Sequence, residues 1–199
     1  MDRTVYLIRH GKIELGNEKR LVGRTDLPLS EEGIEQVRRI GASFFRVPLE
    51  CAYTSPLSRC VDTADIVLAG RDTKIITVAD FAEIDLGLWD NMKVSEIQAE
   101  YPEAYEARGK DIAGYIPPEG ESFYQVEKRV MPAFETIFES TRGDIAIFAH
   151  AGVNRVIISH LLGLPINDLF NISQPYGCIN ILNWSGKSQC WSIQTRHYR

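Results

Sequence analysis

Hydrophobic and polar positions along the chain follow two periods, one typical of buried strands and one typical of amphipathic helices. Short apolar runs of strand length occur at residues 4–9, 52–54, 74–78 and 144–149. Apolar positions at helical spacing fill most of the stretches between these runs. This alternation predicts an α/β fold with three layers, α/β/α, built around a mostly parallel sheet.

Capping residues and helical spacing place the predicted helices. Ser30 is a typical N-cap residue, and Glu31 and Glu32 follow it in the first turn, where carboxylates interact favourably with the helix dipole. This first helix is predicted to reach residue 45. Further helices are predicted at residues 58–68, 94–101, 123–138 and 151–162, with Pro132 as a candidate kink.

Two stretches lack a clear period. Residues 79–93 predict irregular structure, and residues 102–120, which are rich in proline, glycine and charge, predict a surface excursion or lid. Several side chains in or beside this lid are candidates for substrate specificity or for ordinary packing, namely Tyr101, Tyr105, Arg108 and Tyr115. Residues 178–184 and 190–197 predict a terminal hairpin. No repeat or linker divides the chain, so we expect a single domain over residues 1–199.

Composition narrows the classes of function. The chain of 199 residues contains 22 Lys and Arg against 27 Asp and Glu, and its net charge of −5 disfavours binding to nucleic acid. No run approaches the ~18 apolar residues of a membrane span, and the apolar residues 5–8 are too few for a signal peptide. The four cysteines lack metal-site spacing and predict reduced thiols. We therefore expect a cytoplasmic protein without nucleic-acid or membrane partners.

Candidate chemistry lies where the predicted strands end. Arg9 and His10 close the first strand, and His150 follows the strand at residues 144–149. Arg59 falls in the first turn of the helix after the second strand. Because parallel strands place their carboxyl ends at one edge of the sheet, we expect these four side chains to lie close together.

Two arginines and two histidines form the set that a phosphoryl group requires. Guanidinium forks match phosphate oxygens bidentately, and a neutral imidazole can attack phosphorus. Positive arginine charges beside the imidazole disfavour its protonated form, which keeps it nucleophilic near neutral pH. The leaving oxygen then needs a proton, for which the irregular loop after the third strand offers Glu83 and Asp85.

Five ordered segments resemble the motifs of the histidine phosphatase superfamily, also called the phosphoglycerate mutase-like family. They are residues 5–11 (VYLIRHG), 23–33 (GRTDLPLSEEG), 53–64 (YTSPLSRCVDTA), 83–91 (EIDLGLWDN) and 150–155 (HAGVNR). The chain length and the fourth segment are similar to the compact phosphatase branch of this family, which includes alpha-ribazole phosphatases and broad-specificity monoester phosphatases.

The resemblance implies a phosphoglycerate mutase-like fold and a phosphomonoester hydrolase without metal or organic cofactor. It implies that His10 becomes phosphorylated and that Glu83 acts as general acid and then as base, whereas Asp85 does not match the family position. The residues implied to hold the phosphoryl oxygens are Arg9, Arg59 and His150, and the implied substrate contacts are Gly11, Asn17, Gly23 and Ala151. We expect a small phosphorylated substrate and a monomer or homodimer.

Departures from the family pattern leave two alternatives open. Ile13 and Gly16 stand where family members commonly carry polar residues that reach the phosphate, Asn17 lies one residue late, and Ala151 replaces a glycine. The alternatives are a phosphoglycerate mutase-type phosphoryl transferase and a non-catalytic member that only binds a phospho-ligand. The short chain and the lack of the mutase-type ERHYG run favour hydrolysis.

Overall fold

A computed structural model describes residues 1–16 and 18–196 of the protein. Its six strands are β1 (Arg3–Arg9), β2 (Cys51–Thr54), β3 (Ile75–Thr77), β4 (Ile145–Ala149), β5 (Ile179–Ser185) and β6 (Cys190–Arg196). They form one sheet in the order β3-β2-β4-β1-β5-β6. The first four strands pair in parallel, and β5 and β6 add an antiparallel hairpin beside β1. The predicted mostly parallel sheet is confirmed.

Six α-helices accompany the sheet: α1 (Glu31–Phe44), α2 (Ser58–Val67), α3 (Val94–Glu100), α4 (Pro102–Lys110), α5 (Phe123–Ser140) and α6 (Ala151–Leu162). Single 3-10 turns at Ala79–Phe81 and Gly87–Trp89 interrupt the irregular stretch before α3, and a longer 3-10 segment, Ile166–Asn171, precedes β5. The sequence pattern missed the last of these segments.

Helices cover both faces of the sheet, which confirms the predicted three-layer fold. Neighbouring residues of a strand point to opposite faces, so Leu7 and Ile8 of β1 belong to different hydrophobic cores. The core around Leu7 contains buried residues of α5 and α6, and the core around Ile8 contains buried residues of α1 and α2. All five residues of β4 are buried, because helices cover both faces of this central strand.

Helix α4 differs from the sequence-based expectation of irregular structure at residues 102–120. Pro102 occupies the first turn of this helix, where its missing N–H needs no intrahelical partner. None of the residues of α4 is buried, so the helix lacks the apolar stripe that reveals a helix in a sequence. The rest of the predicted lid, residues 111–120, contains no helix or strand.

Other expectations are met within small shifts of the boundaries. Helix α5 continues through Pro132, and the Ser30 side chain accepts a hydrogen bond from the Gly33 amide as the predicted N-cap of α1. All four cysteines are free thiols. Residue 197 of the predicted hairpin lies outside the described residues. None of the described helices combines the length and the apolar character needed to cross a membrane.

Candidate active site

The carboxyl ends of three parallel strands meet at one edge of the sheet. Arg9 of β1 pairs with Ala149 of β4, and Thr54 of β2 pairs with Phe148 of the same strand. The residues that follow these strand ends are therefore neighbours in space. The imidazole rings of His10 and His150 lie with their centroids 5.2 Å apart, as expected from the positions of these residues after their strands.

A cavity of about 190 Å³ opens at this edge of the sheet. Its charged or titratable lining residues are Arg9, His10, Arg20, Arg59, Glu83, Arg108 and Arg155. The other walls are mostly apolar, with Ile13, Leu15, Leu21, Val22, Phe123, Ala151, Phe170 and Tyr176 among them. Five arginines against one carboxylate make the cavity strongly positive, although the whole chain carries a net charge of −5. Such a cavity attracts a small anion.

His10 is held in a single tautomer by its neighbour. Its Nδ1 lies 2.8 Å from the carbonyl oxygen of Gly11, and because a carbonyl only accepts hydrogen bonds, Nδ1 carries the proton. The lone pair of the neutral ring is then on Nε2. Burial lowers the pKa of His10 well below its usual value of 6.5, and the charges of Arg9 and Arg59 lower it further. Nε2 therefore has the free lone pair that a nitrogen nucleophile needs at neutral pH.

Gly11 serves this arrangement through its backbone. Its amide donates to the Thr63 hydroxyl at 3.2 Å, and its carbonyl oxygen accepts from His10. A Cβ at this position would lie 2.8 Å from a methyl carbon of Val37 and 2.9 Å from the carbonyl oxygen of Gly33. The sequence predicted that Gly11 contacts the substrate; in the structure it lets the end of β1 approach α1 and orients the His10 ring.

Arg59 is fixed by three hydrogen bonds although its side chain is almost fully buried. Its Nε donates to Nδ1 of His150 at 3.3 Å, and its two terminal nitrogens donate to the carbonyl oxygens of Thr25 at 2.8 Å and Gly23 at 2.7 Å. Two of the five guanidinium N–H groups are left for a phosphoryl oxygen. A Cβ at Gly23 would lie 2.3 Å from the Ile84 carbonyl oxygen, so no larger residue fits there. Glycine at this position lets the backbone place the carbonyl oxygen that binds Arg59.

His150 lies behind Arg59 and is fully buried. Its Nδ1 accepts from Arg59, so its Nε2 carries the proton and donates to the Ser55 hydroxyl at 2.7 Å. Burial lowers the pKa of His150 well below 6.5, and the nearby charges of Arg59 and Arg9 act in the same direction. Both ring nitrogens have partners within the protein. The phosphoryl contact implied for His150 therefore requires one of these partners to be exchanged.

Arg9 is held by a segment to which the sequence gave no role. The carbon at the centre of its guanidinium lies 3.9 Å from the ring centroid of Tyr176, and Nη1 donates to the carbonyl oxygen of Gln174. Its buried Nε has no hydrogen-bond partner among the described residues. The Gln174 side chain is itself fixed by the buried amides of Asn154 and Asn180. No motif or strand end marks this segment, so its contact with Arg9 could be found only in the fold.

Glu83 faces the cavity, whereas Asp85 does not. Glu83 is 7% exposed, and its carboxylate accepts from the amides of Gly152 at 3.1 Å and Ile84 at 3.0 Å. Gly152 lies in the first turn of α6, where the helix dipole stabilises a carboxylate. Asp85 instead accepts from the Gly87 amide and pairs with Arg24 at 3.3 Å. The geometry favours Glu83 as the proton-transfer residue of the pair.

The remaining candidate positions divide into three groups. Ala151, predicted as a substrate contact, lines the cavity, and so does Ile13, which stands where family members commonly carry a polar residue; Asn17 lies outside the described residues. Three arginines that the sequence did not assign to the phosphoryl site also line the cavity: Arg20, Arg108 and Arg155. Within residues 1–16 and 18–196, no group of three or more His, Cys, Asp or Glu side chains is arranged to hold a metal ion.

A buried neutral histidine, a ring of arginines and a carboxylate at a helix N-terminus define the site of a phosphoryl-transfer enzyme. The model of the histidine phosphatase superfamily (branch 1) matches residues 5–196, and the chain belongs to this superfamily. This match confirms the resemblance drawn from the sequence motifs and with it the enzyme class, a histidine phosphatase.

Relatives of the chain include proteins named as phosphatases and as probable phosphoglycerate mutases. The chain is 28% identical over 192 residues to the adenosylcobalamin/alpha-ribazole phosphatase of Salmonella typhimurium, which covers 96% of this chain and 93% of that protein. It is 26% identical over 166 residues to the probable phosphoglycerate mutase GpmB of Klebsiella pneumoniae, covering 81% and 75%. The crystal structure of the alpha-ribazole phosphatase from Shigella flexneri superposes with a TM-score of 0.87 at 25% identity, covering 96% of this chain and 94% of that chain.

The lowered pKa values of His10 and His150 predict a stability that depends on pH. Both rings are neutral in the folded state, while the unfolded chain protonates them near pH 6.5, so stability is lost as the pH falls below 6.5. At pH 5.5 each ring lowers the free energy of unfolding by about 1.4 kcal/mol relative to pH 7.5. Urea unfolding at the two pH values measures this change.

The variant His10→Gln isolates the contribution of one ring and should reduce the loss between pH 7.5 and 5.5 by about 1.4 kcal/mol. His160→Gln is the matched control, because the His160 side chain is 44% exposed and lies on the outside of α6. An unchanged pH dependence in His10→Gln would contradict the lowered pKa of His10.

Proposed function

We propose that the protein hydrolyses a phosphomonoester of a small metabolite and that His10 carries the phosphoryl group between the two steps. The observation that carries this proposal is the free Nε2 of a buried, neutral His10 in a cavity lined by Arg9 and Arg59. In the first step Nε2 attacks phosphorus, the bond to the leaving oxygen breaks, and Glu83 donates a proton to that oxygen.

The second step returns the enzyme to its starting state. The Glu83 carboxylate takes a proton from water as the water oxygen attacks phosphorus, and the bond between phosphorus and Nε2 breaks. Inorganic phosphate leaves, and Glu83 is again protonated for the next substrate. Throughout both steps the proton stays on Nδ1 of His10, which donates a hydrogen bond to the Gly11 carbonyl oxygen, and this bond stabilises the phosphorylated ring. Arg9 and Arg59 stabilise the charge on the phosphoryl oxygens, so we propose that no metal ion is needed.

Hydrolysis is a better fit than mutase activity or simple binding. A mutase must exclude water from its phosphoenzyme until the acceptor returns, and the chain lacks the ERHYG run typical of such mutases. A protein that only bound a phospho-ligand would not need Glu83 at the cavity. Hydrolysis, unlike binding alone, requires a proton-transfer group at this position.

The excess of arginines supports a substrate with a second anionic group. Arg108 of α4 lines the cavity, is half-buried, and makes no hydrogen bond or ion pair within the described residues. Burial lowers the pKa of Arg108, and the titratable side chains near it are Tyr105 and Tyr115. The cavity of about 190 Å³ is smaller than the ~300 Å³ of typical ligand pockets. We therefore propose a compact phosphomonoester whose carboxylate or second phosphate meets Arg108.

We also propose that the protein acts in the cytoplasm as a monomer or homodimer, without nucleic-acid or membrane partners, and that residues 1–199 form one catalytic domain. Its free cysteines support a reducing compartment. The match of one family model to residues 5–196 supports the single domain.

The proposed role of Glu83 predicts that the loss of activity in Glu83→Gln depends on the leaving group of the substrate. Glu83→Gln should lower kcat by ~10²–10⁴-fold on an alkyl phosphate, whose leaving oxygen needs a proton. The loss on p-nitrophenyl phosphate should be much smaller, because nitrophenolate leaves readily without protonation. Asp85→Asn is the matched control and should affect both substrates little. Equal losses of Glu83→Gln on the two substrates would remove Glu83 from the role of general acid.

The reaction and its substrate class can be tested in one screen of phosphorylated metabolites. We expect phosphate release from several monoesters, with negligible interconversion of 3- and 2-phosphoglycerate. Monoesters with a carboxylate should have kcat/KM values ~10-fold or more above those of uncharged analogues of equal size, because a charged hydrogen bond contributes 1.5–3 kcal/mol. Alpha-ribazole phosphate belongs in the screen because relatives are named for it.

Arg108→Gln should abolish the preference for a second anionic group and leave p-nitrophenyl phosphate turnover unchanged. Lys110→Gln is the control on the same helix, since Lys110 is exposed and pairs with Glu106 away from the cavity. Mutase turnover in excess of phosphate release would refute the proposed reaction. A strong preference for alpha-ribazole phosphate that survives Arg108→Gln would refute the proposed substrate class.

A further inference from the structure

Glu83 lies in a part of the chain that regular secondary structure does not hold in place. Between β3 and α3 the backbone forms only two single 3-10 turns, and Glu83 stands between them. A general acid has to be held within about 0.5 Å of its productive position. Something outside this segment must therefore fix its backbone.

The side chain of Arg129, on the second turn of α5, contacts this backbone. Its Nη1 donates to the carbonyl oxygens of Asp80 and Ala82, and its Nη2 donates to the carbonyl oxygen of Glu83 at 3.2 Å. The remaining donors, on Nε and Nη2, bind the Glu121 carboxylate at 3.1 and 2.7 Å. All five N–H groups of the guanidinium are thus used, three of them by carbonyl oxygens between Asp80 and Glu83.

Glu121 completes the arrangement from the other side of Glu83. Its carboxylate accepts from the amide of Asp85 at 2.8 Å, and its own amide donates to the Asp85 carbonyl oxygen at 2.9 Å. Arg24 pairs with the same carboxylate at 3.3 Å. The side chains of Arg129 and Glu121 are 18% and 14% exposed, so water screens their ion pair only in part.

We propose that Arg129, oriented by Glu121, is the positioning residue for the general acid of this enzyme. It does not line the cavity, and it fixes the backbone from Asp80 to Glu83, while Glu121 fixes the backbone at Asp85. Only a planar fork with five donors meets this set of acceptors, because a lysine ammonium has three donors at a single point. This inference rests on the proposed role of Glu83 in proton transfer.

A double-mutant cycle between Arg129→Lys and Glu83→Gln tests the inference. The four proteins are compared on an alkyl phosphate and on p-nitrophenyl phosphate, with kcat and KM measured separately and folding checked by thermal unfolding. Arg71→Lys is the matched control, because Arg71 also donates to two backbone carbonyl oxygens, those of Phe44 and Val47, far from the cavity. If Arg129→Lys does not fold, Glu121→Gln replaces it in the cycle.

Arg129→Lys should lower kcat on the alkyl phosphate by roughly 10- to 100-fold with little change in KM, the loss expected from a misplaced catalytic group. The loss on p-nitrophenyl phosphate should be small, and in the Glu83→Gln background Arg129→Lys should cause no further loss. Equal losses of Arg129→Lys on both substrates, or losses that add in the double mutant, would overturn the inference. The proposed function would still stand if the Glu83→Gln loss is confined to the alkyl phosphate. A non-selective Glu83→Gln would overturn both.

Discussion

The parallel pairing of β4 with β1 on one side and with β2 on the other is the interaction on which the site depends. It brings the carboxyl ends of three strands, from sequence positions as distant as 9 and 149, to one edge of the sheet. Strand pairing alone makes the side chains after these ends neighbours in space. The helices that follow β2 and β4 present their N-termini to the same cavity. The chemistry is thus a consequence of strand register, and a shift of one residue would separate the histidines.

Hydrogen bonds from arginine side chains to backbone carbonyl oxygens recur in and around the positively charged cavity of this acidic protein. Arg9 and Arg59, which line the cavity, and Arg129, which lies outside it, each donate to backbone carbonyl oxygens, which neutralise no charge but fix the plane of the guanidinium. The arginines therefore stay charged and rigid, ready for phosphoryl oxygens or for one carboxylate. Their field, together with burial, keeps His10 and His150 neutral. The same arrangement that binds the anion also prepares the nucleophile.

The sequence predicted the residues that follow strands and missed those that act through backbone contacts. His10, Arg59 and His150 follow predicted strand ends, and the third strand is followed by the loop that contains Glu83, so topology alone brings them to one edge. The contacts of Gln174 and Arg129 are with carbonyl oxygens of distant segments, and no side-chain pattern encodes such partners. Helix α4 was missed because it buries no residue. The tautomer of His150 and the hydrogen bond from Arg59 to the Gly23 carbonyl oxygen likewise could be found only in the structure.

The central claim is that His10 forms a covalent bond to phosphorus, and trapping of the phosphoenzyme tests it most directly. A rapid quench of the enzyme with radiolabelled substrate should give a protein-bound phosphate that is labile in acid and stable in base, as a bond from phosphorus to imidazole nitrogen requires. Peptide mapping should place the phosphate on His10, and His10→Asn should lose both the label and turnover, the latter by roughly 10³-fold or more. Absence of the label, its location on another residue, or near-normal turnover in His10→Asn would contradict the account.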